Sequence, residues 1–423
     1  MRIGVVPNLD RAGGGIYQYA VTLVAALPHL LDEGDELIVF LYGGETLPDD
    51  LAVLPYRTVE MRSVSGLSGA MWYRFASALP AGVRAAVKRA LGGRDEGVGG
   101  GVAVDSLVDP RWAAWFARYD VDLLIFTADV DLAYRTGVPF AVAIHDIQHR
   151  LQPEFPEVSS DGEWERREFR IGNCVHNAAA ILVDSEAGRE DVLGAYGPDE
   201  DVVVVVPFVP ASYLNADVAP AKVAHARTKF ALPERFAFYP AAFWPHKNHL
   251  RIVEALARLR AEGLDVPIVF TGPNGGPQLR SDTFEAAMAA ADALGVGDLV
   301  HYLGYVDDET MSVLYDQASA LVMPTFFGPT NIPVVEAFTF GCPVITSDIR
   351  GIREQVAGAA MLVDPRSSDA IADGIRSVFT DADLAESLRV SGHANLAAYS
   401  HADYEALVKV ALQRALARAG VAR

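Results

Sequence analysis

Two doubly wound α/β domains are predicted by three features of the amino-acid sequence. At 423 residues the chain is longer than one hydrophobic core usually organises. Short runs that are apolar throughout alternate with helix-periodic segments, which is how strands of a parallel sheet read when both faces are covered. The alternation then starts afresh near residue 236, after a stretch marked by Pro207 and Pro210. Hydrophobic residues make up 51% of the chain and charged ones 21%, as expected of a well-packed protein.

Residues 2–6 form the first expected strand, followed by Gly13, Gly14 and Gly15 and a helix over 16–27. Strand, glycine loop and helix in that order allow a ligand close to the backbone, although glycine turns before helices are also common. A second strand covers 36–42. Residues 61–94 then hold six basic side chains, among them Arg74, Arg84, Lys88 and Arg89, and no acidic one, interleaved with Met71, Trp72, Tyr73 and Phe75. Such a segment suits an anionic acceptor or a membrane surface; the alternative is a solvated helical hairpin broken at Pro80. The glycine-rich stretch 92–101 reads as a flexible insert.

Asp109 and Pro110 open a helix carrying Trp112, Trp115 and Phe116. Strands follow at 121–126 and 140–144, the latter ending in His145 and Asp146, with His149 and Arg150 extending the polar cluster. Ligands of doubly wound sheets sit beyond the carboxyl ends of strands, so this pair stands where chemistry can occur. A helix over 166–179, a strand over 180–184 ending at Ser185 and Glu186, and a strand over 201–209 complete the first domain. The boundary is placed near 210, giving domains at 1–210 and 211–399 and a terminal helix within 400–423.

In the second domain a strand at 236–240 leads to His246 and Lys247 at a helix start. A lysine there opposes the helix dipole and needs another reason for its position. Strands at 267–272 and 299–303 follow, the second exiting through Gly304, Tyr305 and Val306. A helix over 309–318 and a strand over 320–323 lead to residues 326–347, FFGPTNIPVVEAFTFGCPVITS, which read as loop, helix and buried strand. Gly328, Pro329, Thr330 and Asn331 form the loop, Pro333 sits in the first turn, and the helix runs to Gly341. Its N-terminus offers backbone N–H groups to a phosphate, and Glu336, one turn inside, is placed to accept hydrogen bonds from ribose hydroxyls. A further helix begins at 351–356.

A net charge of −20 argues against nucleic acid as a partner. Cys174 and Cys342 lie in apolar segments and form no disulfide framework or zinc site. The sequence begins directly on a strand, without an apolar leader, and no apolar run reaches ~18 residues. A cytoplasmic protein, peripheral at most to a membrane, is expected. The carboxylates show no pairing that suggests a glycosidase and no clustering that suggests a divalent metal, so neither metal nor cofactor is expected.

The stretch 326–347 resembles the donor-binding segment of the large retaining glycosyltransferase family 4, with Pro333, Glu336, Ala337, Gly341, Pro343 and Val344 in register. The resemblance implies a GT-B fold, two Rossmann-like domains facing across a cleft, with a C-terminal helix returning to the first domain. It implies a nucleoside-diphosphate sugar as donor and a hydroxyl acceptor, with transfer independent of metal. Carried over residue by residue, His145, Lys247 and Glu336 become the catalytic set. Gly14, Gly15, Asp146, His246, Tyr305, Gly328, Thr330, Asn331 and Ile332 join Lys247 and Glu336 at the donor. Two positions depart from the family pattern: its first glutamate falls on Gly328 and its arginine on Ala242. Sugar contacts are then left to Thr330, Asn331 and backbone amides, and a second cation to His246, His249 or Arg251. A nucleotide-sugar epimerase and a catalytically silent nucleotide-sugar-binding protein are the alternative readings.

Overall fold

Repeated pairing of apolar strands in one direction builds two separate sheets. The computed structural model describes residues 1–11, 14–61, 107–211, 214 and 216–421. The basic segment with Arg74, Arg84, Lys88 and Arg89, and the glycine-rich insert, lie outside the described residues. The first sheet contains β1 (Arg2–Val6), β2 (Glu36–Tyr42), β3 (Arg57–Met61), β4 (Leu123–Phe126), β5 (Phe140–Ala143), β6 (Ala180–Val183) and β7 (Val203–Val205). They run parallel in the order β3-β2-β1-β4-β5-β6-β7. Helices α1 (Gly15–Ala26), α2 (Pro110–Phe116), α3 (Glu163–Asn177) and α4 (Glu186–Tyr196) cover its faces. Alternate strand residues go to opposite sides, as the two-residue period demands. Leu123 and Ile125 join a core with α1, while Leu124 and Phe126 join another with α2 and α3.

The second sheet is also parallel. It contains β8 (Ala237–Pro240), β9 (Ile268–Thr271), β10 (Val300–Tyr302), β11 (Ala320–Met323), β12 (Val344–Ser347) and β13 (Met361–Val363), in the order β10-β9-β8-β11-β12-β13. Its helices are α5 (Pro220–Phe230), α6 (His249–Ala261), α7 (Gln278–Ala293), α8 (Asp308–Gln317), α9 (Ile332–Thr339), α10 (Arg350–Val356), α11 (Ser368–Thr380) and α12 (Ala382–Ala397). Strand order reverses between β1 and β4 in one sheet and between β8 and β11 in the other, and such switch points open ligand crevices at the strand carboxyl ends.

The last helix, α13 (His401–Arg418), starts with a capping box between Ser400 and Asp403. It lays Tyr404, Val408, Ala411, Leu412, Ala415 and Leu416 into the core of the first sheet. Two strands, β3 and β13, and the helices α5, α7, α11 and α12 were not read from sequence. β3 is an edge strand whose residues RTVEM are largely exposed, and β13, the three-residue apolar run Met-Leu-Val, is the edge of the other sheet. The strand expected over 201–209 is shorter: residues Glu200–Val202 form a 3-10 turn, β7 stops at Val205, and Val206 and Val209 are buried as the chain leaves toward the second sheet.

Candidate active site

The polar side chains singled out at strand ends converge where the two sheets face each other. From the first sheet, His145 follows β5 and its Nε2–H donates to the Thr127 carbonyl at 2.9 Å. The ring stands edge-on to Tyr19, with centroids 4.7 Å apart. Asp146 accepts from the Gln148 backbone N–H at 2.9 Å and from the Arg167 guanidinium. Burial alone would raise its pKa, but Arg167 and the Gln148 amide hold it below the usual carboxylate range. Asp184 follows β6 and is buried; it accepts from the Thr330 hydroxyl of the second domain at 2.7 Å. Burial pushes Asp184 up to about 6, with Thr330 and His145 opposing.

From the second sheet, Lys247 ends the short turn Pro245–Lys247. Three contacts fix its backbone. Tyr239 Oη donates to the Lys247 carbonyl at 2.8 Å, and Asn248, in a left-handed turn at φ 65°, sends Nδ2 to the carbonyls of Pro324 at 2.8 Å and Pro365 at 2.7 Å. Burial pulls the ammonium down to about 8, and Asp146 and Glu157 only partly compensate from a distance. A cation so placed favours any anion that enters beside it.

The loop after β11 is tied in turn. Thr325 Oγ1 donates to the carbonyl of Phe327 at 3.0 Å, Ser347 Oγ donates to the Thr325 carbonyl at 2.5 Å, and Gln355 grips Asn331 through its backbone N–H at 3.0 Å and carbonyl at 2.8 Å. A Cβ at Gly351, on α10, would stand 1.9 Å from the Pro329 carbonyl oxygen, so only glycine lets this helix meet the loop. Asn331 is 6% exposed and its Nδ2 has no hydrogen-bond partner, which leaves a buried donor at the loop. Gly328, at φ 109°, borders it: a Cβ there would lie 3.5 Å from that nitrogen. On α9, Glu336 is buried and accepts from Tyr315 Oη at 2.7 Å, and the Tyr315 ring stacks on Phe340 at 5.8 Å.

Contacts across the interface hold these groups together. Gly15 lies against Ile332, whose side chain is buried in the first domain's core. Glu354 of α10 caps α4 of the other domain, accepting from Glu186 N at 2.7 Å and Ala187 N at 3.1 Å. Gln152 Nε2 donates to the Phe326 carbonyl at 3.1 Å. Tyr305 stays on the rim, largely exposed, beside Arg11.

The residues considered for a second cation do not supply one: two are bonded elsewhere and His249 is neutral in the core. His246 donates Nδ1–H to Glu157 of the first domain at 2.6 Å and stacks on Phe327 at 3.8 Å; burial lowers it to about 4 despite Glu157. His249 is fully buried and stacked on Phe243 at 3.9 Å, and burial lowers it to about 3. Arg251 braces loops, bonding the Arg366 carbonyl and Asn248 Oδ1 at 3.2 Å each. Glu157, Asp184, Arg167 and Tyr315 were missed by sequence reading. Only Asp184, at the end of an apolar strand, carried a positional signal.

Comparison with known proteins bears on the fold and on the second domain. Residues 222–393 match the family described as glycosyl transferases group 1. Over 278 residues the chain is 26% identical to the O-antigen chain mannosyltransferase B of Escherichia coli, covering 65% of this chain and 70% of that protein. It is 25% identical over 258 residues to the alpha-D-kanosaminyltransferase of Streptomyces kanamyceticus, covering 59% and 64%. Among solved structures, Anabaena HepE in complex with UDP and glucose superposes with a TM-score of 0.69 at 15% identity, over 97% of this chain and 99% of that one. A glycosyltransferase from Rickettsia africae superposes with a TM-score of 0.65 at 16% identity, over 98% of each chain. The facing parallel sheets are the GT-B fold, and the second of them, with the site residues from Lys247 to Glu336, is a glycosyl transferases group 1 domain.

Proposed function

We propose that this chain is a retaining glycosyltransferase that moves a hexosyl group from a nucleoside-diphosphate sugar to a hydroxyl of a glycan, lipid-linked or small-molecule acceptor without a metal ion. The observation that carries the reading is Lys247, a cation whose charge burial disfavours, held at the strand ends within the same site as the unpartnered Asn331 amide and the Glu336–Tyr315 pair. The glycosyl-transfer activities for which the two relatives are named and the UDP and glucose of the Anabaena structure support a nucleotide-sugar donor.

In this reading Glu336 anchors the ribose, and the Tyr315 hydroxyl helps to hold its carboxylate in place. The N-terminus of α9 and Lys247 receive the diphosphate. As the glycosidic bond breaks, negative charge grows on the departing phosphate, and a preorganised cation lowers the barrier there. A phosphate oxygen then takes the proton of the acceptor hydroxyl, which attacks from the face the leaving group vacates, so configuration is retained. Asn331 Nδ2 donates to the donor sugar, in place of the carboxylate absent at Gly328. His145, held by Thr127 and Tyr19, positions the sugar beside the reacting carbon. The basic segment at Arg74, Arg84, Lys88 and Arg89 is assigned to an anionic acceptor or membrane surface.

The test is product analysis with a panel of nucleotide-sugars and hydroxyl acceptors. Transfer with retained anomeric configuration, unchanged by EDTA, is the expected result. An inverted product, or activity lost to EDTA and restored by magnesium or manganese, refutes the mechanism.

A further inference from the structure

No charged side chain identified so far balances a diphosphate beyond Lys247, because His246 and Arg251 are bonded elsewhere and burial keeps His249 neutral. One more cation stands at the same end of the second sheet. Arg280, in the first turn of α7, is 7% exposed, yet its Nε has no hydrogen-bond partner. Arginine is rarely buried without a partner for its charge, since an unsatisfied charged donor in a low dielectric is costly. Its guanidinium lies over the Trp244 ring, 4.9 Å from the centroid. Burial disfavours its charge, and Asp10, from the loop after β1 of the first domain, favours it.

The backbone around Arg280 comes close to it. The loop from β9 to α7 is pressed against the turn that holds Ala242: a Cβ at Gly272 would meet the Ala241 carbonyl atoms at 2.8 Å and Ala242 N at 3.1 Å. Phe243 N donates to the Pro273 carbonyl at 3.4 Å. Gly276, at φ +105°, passes over the guanidinium, where a Cβ would lie 2.9 Å from Nη2. Arg280 therefore reaches Trp244, two residues after the uncharged Ala242, from the neighbouring loop. Trp244, on which it rests, is three residues before Lys247.

We propose that Arg280 is the second cation of the donor site and binds the diphosphate of the nucleotide-sugar together with Lys247. This deepens the donor reading and rests on it. A guanidinium suits the place because it is weakly hydrated, stacks on an aromatic face and still presents a planar fork to two phosphate oxygens.

The test is titration calorimetry of UDP, GDP and inorganic pyrophosphate, with uridine and guanosine followed by NMR, on the wild type, Arg280→Gln and Arg280→Lys. Loss of a charged hydrogen-bonding partner should weaken the diphosphates by roughly ten- to a hundredfold in Arg280→Gln and less in Arg280→Lys. Nucleoside affinity should stay unchanged, which also reports an intact fold. Undiminished diphosphate binding in the folded Gln variant makes Arg280 only a brace for Trp244 and overturns the proposal. Equal weakening of nucleosides and diphosphates moves it to the base and overturns it as well. If Arg280→Gln does not fold, Arg280→Lys decides alone, since retained charge without the fork should still cost diphosphate affinity selectively. A wild type that takes up neither UDP nor GDP overturns the donor reading itself, an outcome distinct from failure at Arg280.

Discussion

Replacing Lys247 by Met should produce two opposite effects, one on stability and one on donor binding. Burial displaces the ammonium from 10.5 to about 8, and a shift of that size corresponds to about 3 kcal/mol, an upper figure for a side chain that is half-buried. The folded state therefore binds the proton less well than the unfolded state. Between about 8 and 10.5 the unfolded chain holds more protons, so this group's contribution to stability rises with pH. Below 8 its cost is fully present. Lys247→Met should accordingly be more stable than the wild type at pH 7, by up to about 3 kcal/mol, with the difference vanishing toward pH 10.5. Ligand binding should move the other way. A diphosphate beside the ammonium raises its pKa, so binding takes up a proton above pH 8, and affinity should fall roughly fifteenfold from pH 8 to 9.5. Lys247→Met should bind weakly with no such slope. The assays are denaturant melts and UDP or GDP titrations of both proteins across pH 7 to 10. Parallel affinity profiles for wild type and variant, offset or not, would show that Lys247 does not face the phosphate.

Three further outcomes are expected. Glu336→Ala should raise the donor KM by roughly ten- to a hundredfold with kcat little changed, because the ribose contact is the same in ground and transition states; steady-state kinetics decide this. Gly351→Ala places a Cβ 1.9 Å from the Pro329 carbonyl oxygen and should cost about 1–3 kcal/mol in a denaturant melt while displacing the donor loop. Asp184, raised by burial from 3.8 to about 6, is held more protonated in the fold than in the unfolded chain, so its contribution is present below 3.8 and lost as pH rises through 6. Asp184→Asn keeps an acceptor for Thr330, and its melting temperature should gain on the wild type between pH 4 and pH 7; a constant difference would refute the assignment.

Much of the fold is legible because both of its main signals are local. Strands buried on both faces must be apolar at every position, and that is how residues 123–126, 140–143, 180–183 and 320–323 read. Helix starts are equally local: Asp109, Ser185 and Ser400 each cap the helix that follows. β3 escaped notice because an edge strand does not need apolar residues on both faces, and β13 because a run of only three residues, Met361–Val363, is too short to read as a strand. The candidate site was legible at some strand ends, as with His145 and Asp146 after β5 and the loop from Gly328 to Asn331 after β11, and at Glu336 on the helix that follows, while Asp184 after β6 was passed over.

By itself, the sequence determined the alternation of strand and helix, the restart after residue 210 and the positions of the polar groups along the chain. Those follow from spacing within a few residues of each other. Tertiary structure alone decided which of these groups remain available. His246 and His249 look equivalent beside Lys247, yet one is bonded to Glu157, 89 residues away in sequence, and the other is enclosed by Phe243. Arg280 has no sequence signal, because its meaning depends on Trp244, Gly276 and the bare Ala242 turn meeting from two different loops. Desolvation is the physical reason. The same side chain is a solvated charge, a neutral core residue or an anion receptor according to how much water the distant chain excludes from it, and no short window of sequence contains that chain.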